Sequence, residues 1–222
     1  MHLTQIINNY KSVVFDNDGV VMDSNGAKSE AFVKALEGED ILLIEEFLSY
    51  HKAFGGVSRF EKIKYFYVTI KKEKNYAAPL KKALEKYSYF SKQALLSAEL
   101  MPGVENFLKL LKKHNKTVHV ISGSDQKELV DVYEKRNLIQ YFTKVSGSPR
   151  TKTNILKKII KNSDISFPAI YFGDSLLDYS TASKYGLTFV YISSRSEWKK
   201  GITFCKGMKC QIEPNFLDTS KI

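Results

Sequence analysis

The sequence predicts an α/β fold: a doubly wound parallel sheet with an all-helical insertion near its start. In the second half of the chain, short apolar runs of strand length alternate with helix-length amphipathic segments. That alternation is typical of a parallel sheet covered by helices on both faces. Between residues 21 and 98, apolar residues recur only at helical spacing. The chain has 222 residues, of which 43% are apolar, so it is long enough for a full core and a smaller second unit.

The first predicted strand is the apolar run at residues 13–15, which stops abruptly at Asp16 and is followed by Asp18 and Gly19. An apolar run that ends in carboxylates indicates a buried parallel strand whose carboxyl end carries the polar groups, where open α/β sheets bind ligands. Two carboxylates one residue apart repel each other, so both stay charged only beside a cation, strong donors or a shared proton. We therefore expect a Mg²⁺ site at Asp16 and Asp18.

The insertion is predicted to be helical over residues 25–36 and from 40 to 98, with interruptions near Gly56 and near Pro79. Glycines at 55 and 56 permit a tight loop, and Arg59 and Lys62 share one face of the helix that follows. Gly56, Arg59 and Lys62 are therefore candidate substrate contacts. The alternative is an interhelical turn with solvated basic residues.

Beyond residue 98 the pattern alternates, and the polar residues that follow the strands have complementary chemistry. Since the carboxyl ends of parallel strands lie along one edge of a sheet, these residues are expected to converge with Asp16 and Asp18 in one crevice. Lys144 competes with Lys152 as the cationic residue, but it lies inside a strand pattern. Helices are predicted at 102–114, 125–137, 151–161 and 176–185, and strands at 117–121, 144–146, 169–172 and 188–192, with Ser122, Gly123, Lys152, Asp174 and Asp178 at the ends facing the crevice.

Such a crevice suits phosphoryl transfer. Asp16 would act as a nucleophile toward phosphorus, with Mg²⁺ bound by Asp16 and Asp174 neutralising the phosphate oxygens. Asp18 would protonate the leaving alkoxide and later deprotonate the attacking water. Ser122, the amides of Gly123 and Ser124 at a helix N-terminus, and the charge of Lys152 would bind the phosphoryl group.

Four segments resemble, in order, the motifs of the haloacid dehalogenase superfamily of phosphohydrolases: VVFDNDGVVMDS, VHVISGS, SGSPRTKTNIL and YFGDSLLDYSTA. The helical block lies where that superfamily inserts a helical (C1-type) cap, as in the phosphoglycolate phosphatase and β-phosphoglucomutase group. The resemblance implies a Rossmann-like catalytic core at residues 1–20 and 99–222 and a cap at 21–98.

The resemblance also implies residue roles. Asp16 becomes the aspartyl phosphate, and Asp18 is the general acid and base. Mg²⁺ is held by the side chains of Asp16 and Asp174 and the backbone carbonyl of Asp18, while Asp178 supports the metal shell or orients Lys152. Val20 and Val21 stand where the superfamily more often has threonine and leucine.

By this resemblance the chain is an enzyme, a Mg²⁺-dependent phosphatase of a small phosphate ester. Because residues 50–67 resemble a subgroup associated with surface-sugar biosynthesis, the candidate substrates are sugar or sugar-acid phosphates. Asp18 argues against dehalogenation, since true dehalogenases lack this second aspartate. A sugar-phosphate mutase, a phosphonatase and a non-catalytic binding or regulatory protein are the alternatives.

Bulk properties restrict the partners. The net charge is +10, but lysines are interleaved with acids, which indicates a solvated surface rather than a nucleic-acid interface. No apolar run approaches the roughly 18 to 20 residues that span a bilayer, and the start lacks the pattern of a signal peptide. We therefore expect a cytoplasmic protein with no membrane partner. Cys205 and Cys210 are expected to be free thiols, and the oligomeric state stays open.

Overall fold

The computed structural model describes residues 3–217. In this range one sheet of six strands forms the centre of the fold, and every neighbouring pair is parallel. The predicted fold class is confirmed. The strands are β1 (Ser12–Phe15), β2 (Thr117–Asp125), β3 (Lys144–Ser148), β4 (Ala169–Gly173), β5 (Thr188–Ile192) and β6 (Gln211–Glu213), and they lie in the order β3-β2-β1-β4-β5-β6.

The helices between the strands cover both faces of the sheet. The described helices are α1 (Leu3–Asn9), α2 (Asn25–Ala35), α3 (Ile41–Ala53), α4 (Arg59–Tyr65), α5 (Ala77–Ser97), α6 (Val104–Lys113), α7 (Gln126–Lys135), α8 (Lys152–Lys161), α9 (Leu176–Lys184) and α10 (Gly201–Gly207). A π-helical turn, Phe66–Ile70, extends α4, and a short 3₁₀ turn, Ile139–Tyr141, precedes β3.

Alternate side chains of β1 pack on opposite faces of the sheet, as the two-residue period of a strand requires. Val13 and Phe15 join a cluster that includes Phe107 of α6. Val14 joins a second cluster that includes Leu156 of α8. Val13, Val14 and Phe15 are fully buried, and β1 has strands on both sides. The carboxyl end of β1 therefore lies in the middle of the sheet.

The segment between β1 and β2 is helical, as predicted, and it has a hydrophobic cluster of its own. Phe32, Phe47, Phe66 and Tyr87 bring α2, α3, the π-helical turn and α5 together in that cluster. The predicted interruptions fall between α3 and α4 and before α5, whose first turn holds Pro79. A proline is tolerated there because the first-turn N–H groups have no partner within the helix.

The two chain segments that lead into and out of this helical block pair with each other. The N–H of Met101 donates to the carbonyl of Val21 at 3.0 Å, and the N–H of Asp23 donates to that of Glu99 at 2.8 Å. Val21 and Met101 are buried in the same cluster as Phe107, beneath the sheet. The division into core and cap stays a prediction, and these paired linkers lie at its boundary.

Three short elements were not predicted: α1, α10 and β6. Helices of seven residues and a strand of three are too short for a hydrophobic period to show. β2 also runs four residues further than predicted, because Asp125 pairs with Ser148 after a register shift that begins at Ile121.

Within residues 3–217, no helix combines the length and apolarity that crossing a bilayer requires. Cys205 and Cys210 are both free thiols, as expected. Cys205 is buried in the cluster around Leu156, and Cys210 is partly buried.

Candidate active site

Asp16 lies at the carboxyl end of β1, between β2 and β4. Its N–H donates to the carbonyl of Phe172 at 2.9 Å, which extends the sheet pairing by one residue. Its Oδ1 accepts a hydrogen bond from the N–H of Asn17 at 2.6 Å and lies 2.7 Å from Nζ of Lys152. In the described part of the chain, Oδ2 accepts no hydrogen bond. Asp16 therefore presents one carboxylate oxygen that is free to react or to bind a cation.

Lys152 joins this nucleophile candidate to a second carboxylate. It is fully buried at the start of α8, and its Nζ donates to Oδ1 of Asp178 at 2.7 Å. The hydroxyl of Tyr171 donates to the same oxygen at 3.0 Å, while the Ser175 hydroxyl and N–H donate to Oδ2 at 2.5 and 3.1 Å. Protein donors thus occupy both oxygens of Asp178. Lys144, the competing candidate, is exposed on β3.

The charges in this cluster do not balance. Burial, and repulsion by Asp178, raise the pKa of Asp16 to about 7, although the charge of Lys152 opposes the rise. Burial and the charge of Asp16 also raise the pKa of Asp174 well above its usual range. Burial disfavours the charged form of Lys152, but its two carboxylate partners raise its pKa above the ordinary value. The cluster holds more negative charge than one ammonium offsets, so a further cation would stabilise it.

A magnesium ion fits this donor set. One oxygen from each of Asp16, Asp174 and Asp178 lies within 4.8 Å of the other two, and all three residues are buried. Carboxylate oxygens are the ligands that Mg²⁺ prefers. Because the oxygens of Asp178 are already occupied by protein donors, Asp16 and Asp174 are the carboxylates best placed to bind the ion. The metal itself stays a prediction.

The carboxylate of Asp18 points away from this cluster. Its Oδ2 lies 2.6 Å from Nζ of Lys28, and its Oδ1 accepts a hydrogen bond from the Ser24 hydroxyl at 2.6 Å. Lys28 also donates to Oγ of Ser124. Burial alone would raise the pKa of Asp18, but the charge and hydrogen bond of Lys28 outweigh it and hold the pKa below its ordinary value. The predicted metal contact through the Asp18 carbonyl stays a prediction.

Gly19 allows the loop after β1 to pass close to the acidic cluster. Its φ of +74° favours glycine, and a Cβ there would lie 2.5 Å from Oδ2 of Asp174. The same oxygen accepts a hydrogen bond from Nδ2 of Asn25 at 2.7 Å. Asn25 begins α2, so the first helix of the insertion contacts the candidate metal ligand directly.

The predicted phosphate-binding loop lies at the carboxyl end of β2, and some of its donors already have partners within the protein. Ser122 is fully buried, and its Oγ accepts the N–H of Ser124 at 3.0 Å, so this amide is already in use. The carboxylate of Asp125 accepts the first-turn amides of α7. The amide of Ser124 and two first-turn amides of α7 thus have partners within the protein, and their predicted donation to a phosphoryl group stays a prediction. Gly123 does line the cavity, and the phosphate contacts of Ser122, Gly123 and Lys152 stay predictions.

A cavity of about 60 Å³, partly open to solvent, lies at the carboxyl ends of the strands, beneath the helical insertion. The acids lie on its floor, and the candidate residues of the insertion lie on its wall. The sequence-predicted residues that line it are Asp16, Asp18, Gly56, Arg59, Lys62, Gly123 and Asp174.

The two basic residues predicted in the insertion are buried rather than solvated, and Gly56 is partly buried. Gly56 has a φ of +80°, and a Cβ there would lie 3.1 Å from Nζ of Lys152, so its loop lies against this lysine. Arg59 is 3% exposed and Lys62 is 2% exposed. Nη1 of Arg59 lies 2.8 Å from Oε2 of Glu128 in α7, which ties the insertion to the sheet-covering helices. The alternative of solvated basic residues is wrong.

The site at the ends of β1 to β4 agrees with the family to which the sequence is similar. Residues 13–192 match the family model for haloacid dehalogenase-like hydrolases. The chain belongs to this family. It is therefore a hydrolase-family enzyme, as the four motifs implied. No curated protein sequence matched the chain.

Solved structures share the fold of this haloacid dehalogenase-like hydrolase. A predicted phosphoglycolate phosphatase from Haemophilus somnus has a TM-score of 0.74 and 17% identity, covering 96% of this chain and 97% of its own. A hydrolase from Pseudomonas syringae has a TM-score of 0.73 and 18% identity, covering 95% and 96%. CbbY from Rhodobacter sphaeroides, in complex with phosphate, has a TM-score of 0.65 and 15% identity, covering 86% and 96%.

The haloacid dehalogenase-like motifs did not reveal several cavity residues, among them Asn25, Lys28, Glu197 and Trp198. Two signals were present. Asn25 and Lys28 are three residues apart on one helix face, directly after the first motif. Glu197 and Trp198 follow β5, and ligand sites gather beyond the carboxyl ends of parallel strands.

Proposed function

We propose that this hydrolase is a Mg²⁺-dependent phosphatase of a small phosphorylated metabolite and acts through an aspartyl phosphate. The observation that supports the proposal is that two carboxylates with one residue between them have different partners. Asp16 has a free oxygen beside Lys152 and the acidic cluster, whereas Asp18 is held by Lys28 and Ser24. The two are therefore equipped for different tasks, nucleophilic attack and proton transfer.

In the first step Oδ2 of Asp16 attacks the phosphorus atom, and the bond from phosphorus to the leaving oxygen breaks. Lys152 holds the other oxygen of Asp16 at 2.7 Å, which orients the free one. Its ammonium also offsets charge on the phosphoryl oxygens. When bound, Mg²⁺ would neutralise further charge on nucleophile and phosphate, with Asp16 and Asp174 as its ligands.

Asp18 supplies and removes the proton. Because Lys28 holds the pKa of Asp18 below its ordinary value, Asp18 must take up a proton before the first step. It gives that proton to the leaving alkoxide, and in the second step its carboxylate deprotonates the water that hydrolyses the aspartyl phosphate and returns Asp16. Lys28 and Ser24 restrict the Asp18 carboxylate to one direction. The loop at Gly56 covers the phosphate end of the cavity, which supports exclusion of water during the first step.

The candidate substrates are sugar and sugar-acid phosphates, with Gly56, Arg59 and Lys62 as specificity residues. Nη2 of Arg59 supports this assignment, because it is buried, belongs to a cavity-lining residue and has no partner in the described part of the chain. An unsatisfied guanidinium donor suits a polar group of the leaving alcohol. The relatives of similar fold include a predicted phosphoglycolate phosphatase, which agrees with a phosphorylated metabolite as substrate.

Hydrolysis of p-nitrophenyl phosphate tests the proposal. We expect turnover with Mg²⁺ and a loss of at least about 10²-fold after chelation, because the acidic cluster then lacks its counter-charge. Acid-quenched enzyme should carry one phosphoryl group, located at Asp16 by mass spectrometry. Turnover that is independent of metal, or a phosphoryl group on another residue, would contradict the proposal. Transfer of the label back to a bound sugar instead of water would identify a mutase.

Replacing Lys28 with Met tests the role assigned to Asp18. Without this partner the Asp18 carboxylate loses its fixed direction, so we expect kcat to fall about 10²-fold with little change in KM. Lys34→Met, at an exposed position of the same helix, is the matched control. Lys28→Arg should restore part of the rate. Equal activity of the Lys28→Met and Lys34→Met variants would show that Lys28 does not position Asp18.

A further inference from the structure

The cavity wall contains a buried cation that the proposed chemistry does not use. Lys62 is 2% exposed and lines the cavity. Its Nζ lies 2.6 Å from Nδ1 of His51 and donates to the backbone carbonyl of the same residue at 3.1 Å. An ammonium has three N–H donors, and residues 3–217 provide acceptors for two of them. One donor is therefore left for a ligand.

Lys62 also differs from the other cationic residues of the wall in having no counter-ion. Within the described chain, no carboxylate lies at ion-pair distance from its Nζ. Burial lowers the pKa of Lys62 to about 7, although the charge of Glu197 opposes the fall. A buried ammonium without an anion is costly, unless a ligand supplies one. The other cavity-lining cations are paired: Lys28 with Asp18 at 2.6 Å, Arg59 with Glu128 at 2.8 Å and Lys52 with Glu197 at 3.9 Å.

The His51 ring fixes the position of Lys62. Because Nδ1 of His51 accepts from Lys62, the ring proton lies on Nε2, which is 3.0 Å from Oγ of Ser29. Ser29 in turn donates to Oε1 of Glu197 at 3.0 Å. Burial and the charge of Lys62 lower the pKa of His51 to about 2, so the ring stays neutral. The ring is thus held at both nitrogens, and it keeps Lys62 at the cavity wall.

We propose that Lys62 binds a carboxylate at the leaving-group end of the substrate, so that the enzyme prefers phosphate esters of sugar acids to those of neutral sugars. The inference rests on the proposed phosphatase function. The phosphoryl group must lie beside Asp16 for the leaving-group end of the substrate to reach Lys62. Arg59, on the same wall, is neutralised by Glu128, so Lys62 is the cation there that is left for the carboxylate.

Two substrates that differ only at this end test the proposal. Gluconate 6-phosphate carries a carboxylate where glucitol 6-phosphate carries a hydroxymethyl group. We expect the ratio of their kcat/KM values to be at least about 30 in the wild-type enzyme and to fall to near 1 in Lys62→Met. Lys64→Met, at an exposed position of the same helix, should keep the wild-type ratio. If Lys62→Met does not fold, Lys62→Gln, which keeps a donor for His51, takes its place.

A wild-type ratio near 1, or an unchanged ratio in Lys62→Met, would overturn the proposal. Calorimetric binding of both compounds separates this outcome from a failure of the phosphatase function. If the wild-type protein hydrolyses neither compound nor p-nitrophenyl phosphate, the proposed function fails. Tighter binding of gluconate 6-phosphate that Lys62→Met abolishes would then still support the role of Lys62, and equal binding of the two compounds would overturn it.

Discussion

Asp16→Asn is expected to lower kcat by at least about 10³-fold, the largest effect of any substitution in this chain. The amide keeps the shape of the side chain and its place beside Lys152, but it lacks the nucleophilic oxygen that forms the aspartyl phosphate. Steady-state hydrolysis of p-nitrophenyl phosphate with Mg²⁺ measures the loss. Mass spectrometry of acid-quenched enzyme should find no phosphoryl group.

Stability separates this chemical effect from misfolding. Burial and repulsion by Asp178 disfavour the charged form of Asp16, so its neutral replacement should not lower the thermal midpoint. Asp131→Asn, which removes a partly exposed carboxylate of α7 that pairs with Lys92 and Lys135, is the control and should retain full activity. Residual turnover of Asp16→Asn above a tenth of the wild-type rate would exclude Asp16 as the nucleophile.

The residues at the carboxyl ends of the strands were predictable, because in a parallel sheet these ends all lie on the same side of the sheet. β1 pairs with both β2 and β4, so Asp16 must lie between Ser122 and Asp174 once the three apolar runs are recognised as strands. Their positions depend on local patterns and on one rule of topology. Lys152, at the start of the helix after β3, follows from the same rule.

The helical wall of the cavity was not predictable in the same way. Which face of α2 meets Asp18 depends on how Phe32 packs against Tyr87, with ring centroids 4.0 Å apart, and on residues far along the chain. Ser29 meets Glu197 across 168 positions, and Arg59 meets Glu128 across 69. A helical period shows that a face is apolar, but not what that face packs against. Lys28 was missed for this reason.

Lys152→Met is expected to remove both stability and activity. It leaves Asp16 and Asp178 buried without their shared ammonium, which should lower the free energy of unfolding by about 3–5 kcal/mol in the absence of metal. For a chain of this length that corresponds to a fall of about 10 °C in the thermal midpoint. We expect kcat to fall about 10³-fold, because the phosphoryl oxygens lose a fixed positive charge. Thermal melting and p-nitrophenyl phosphate hydrolysis measure the two effects.

Lys144→Met, at the competing lysine, should change neither quantity, since Lys144 is exposed on β3. The double variant Lys152→Met with Asp178→Asn then separates the two roles of Lys152. Removing the carboxylate left without a partner should restore part of the lost stability. It should not restore the rate, because the neutral amide introduced at position 178 provides no positive charge for the phosphoryl group. Recovery of activity along with stability would show that Lys152 acts by holding the fold rather than by binding phosphate.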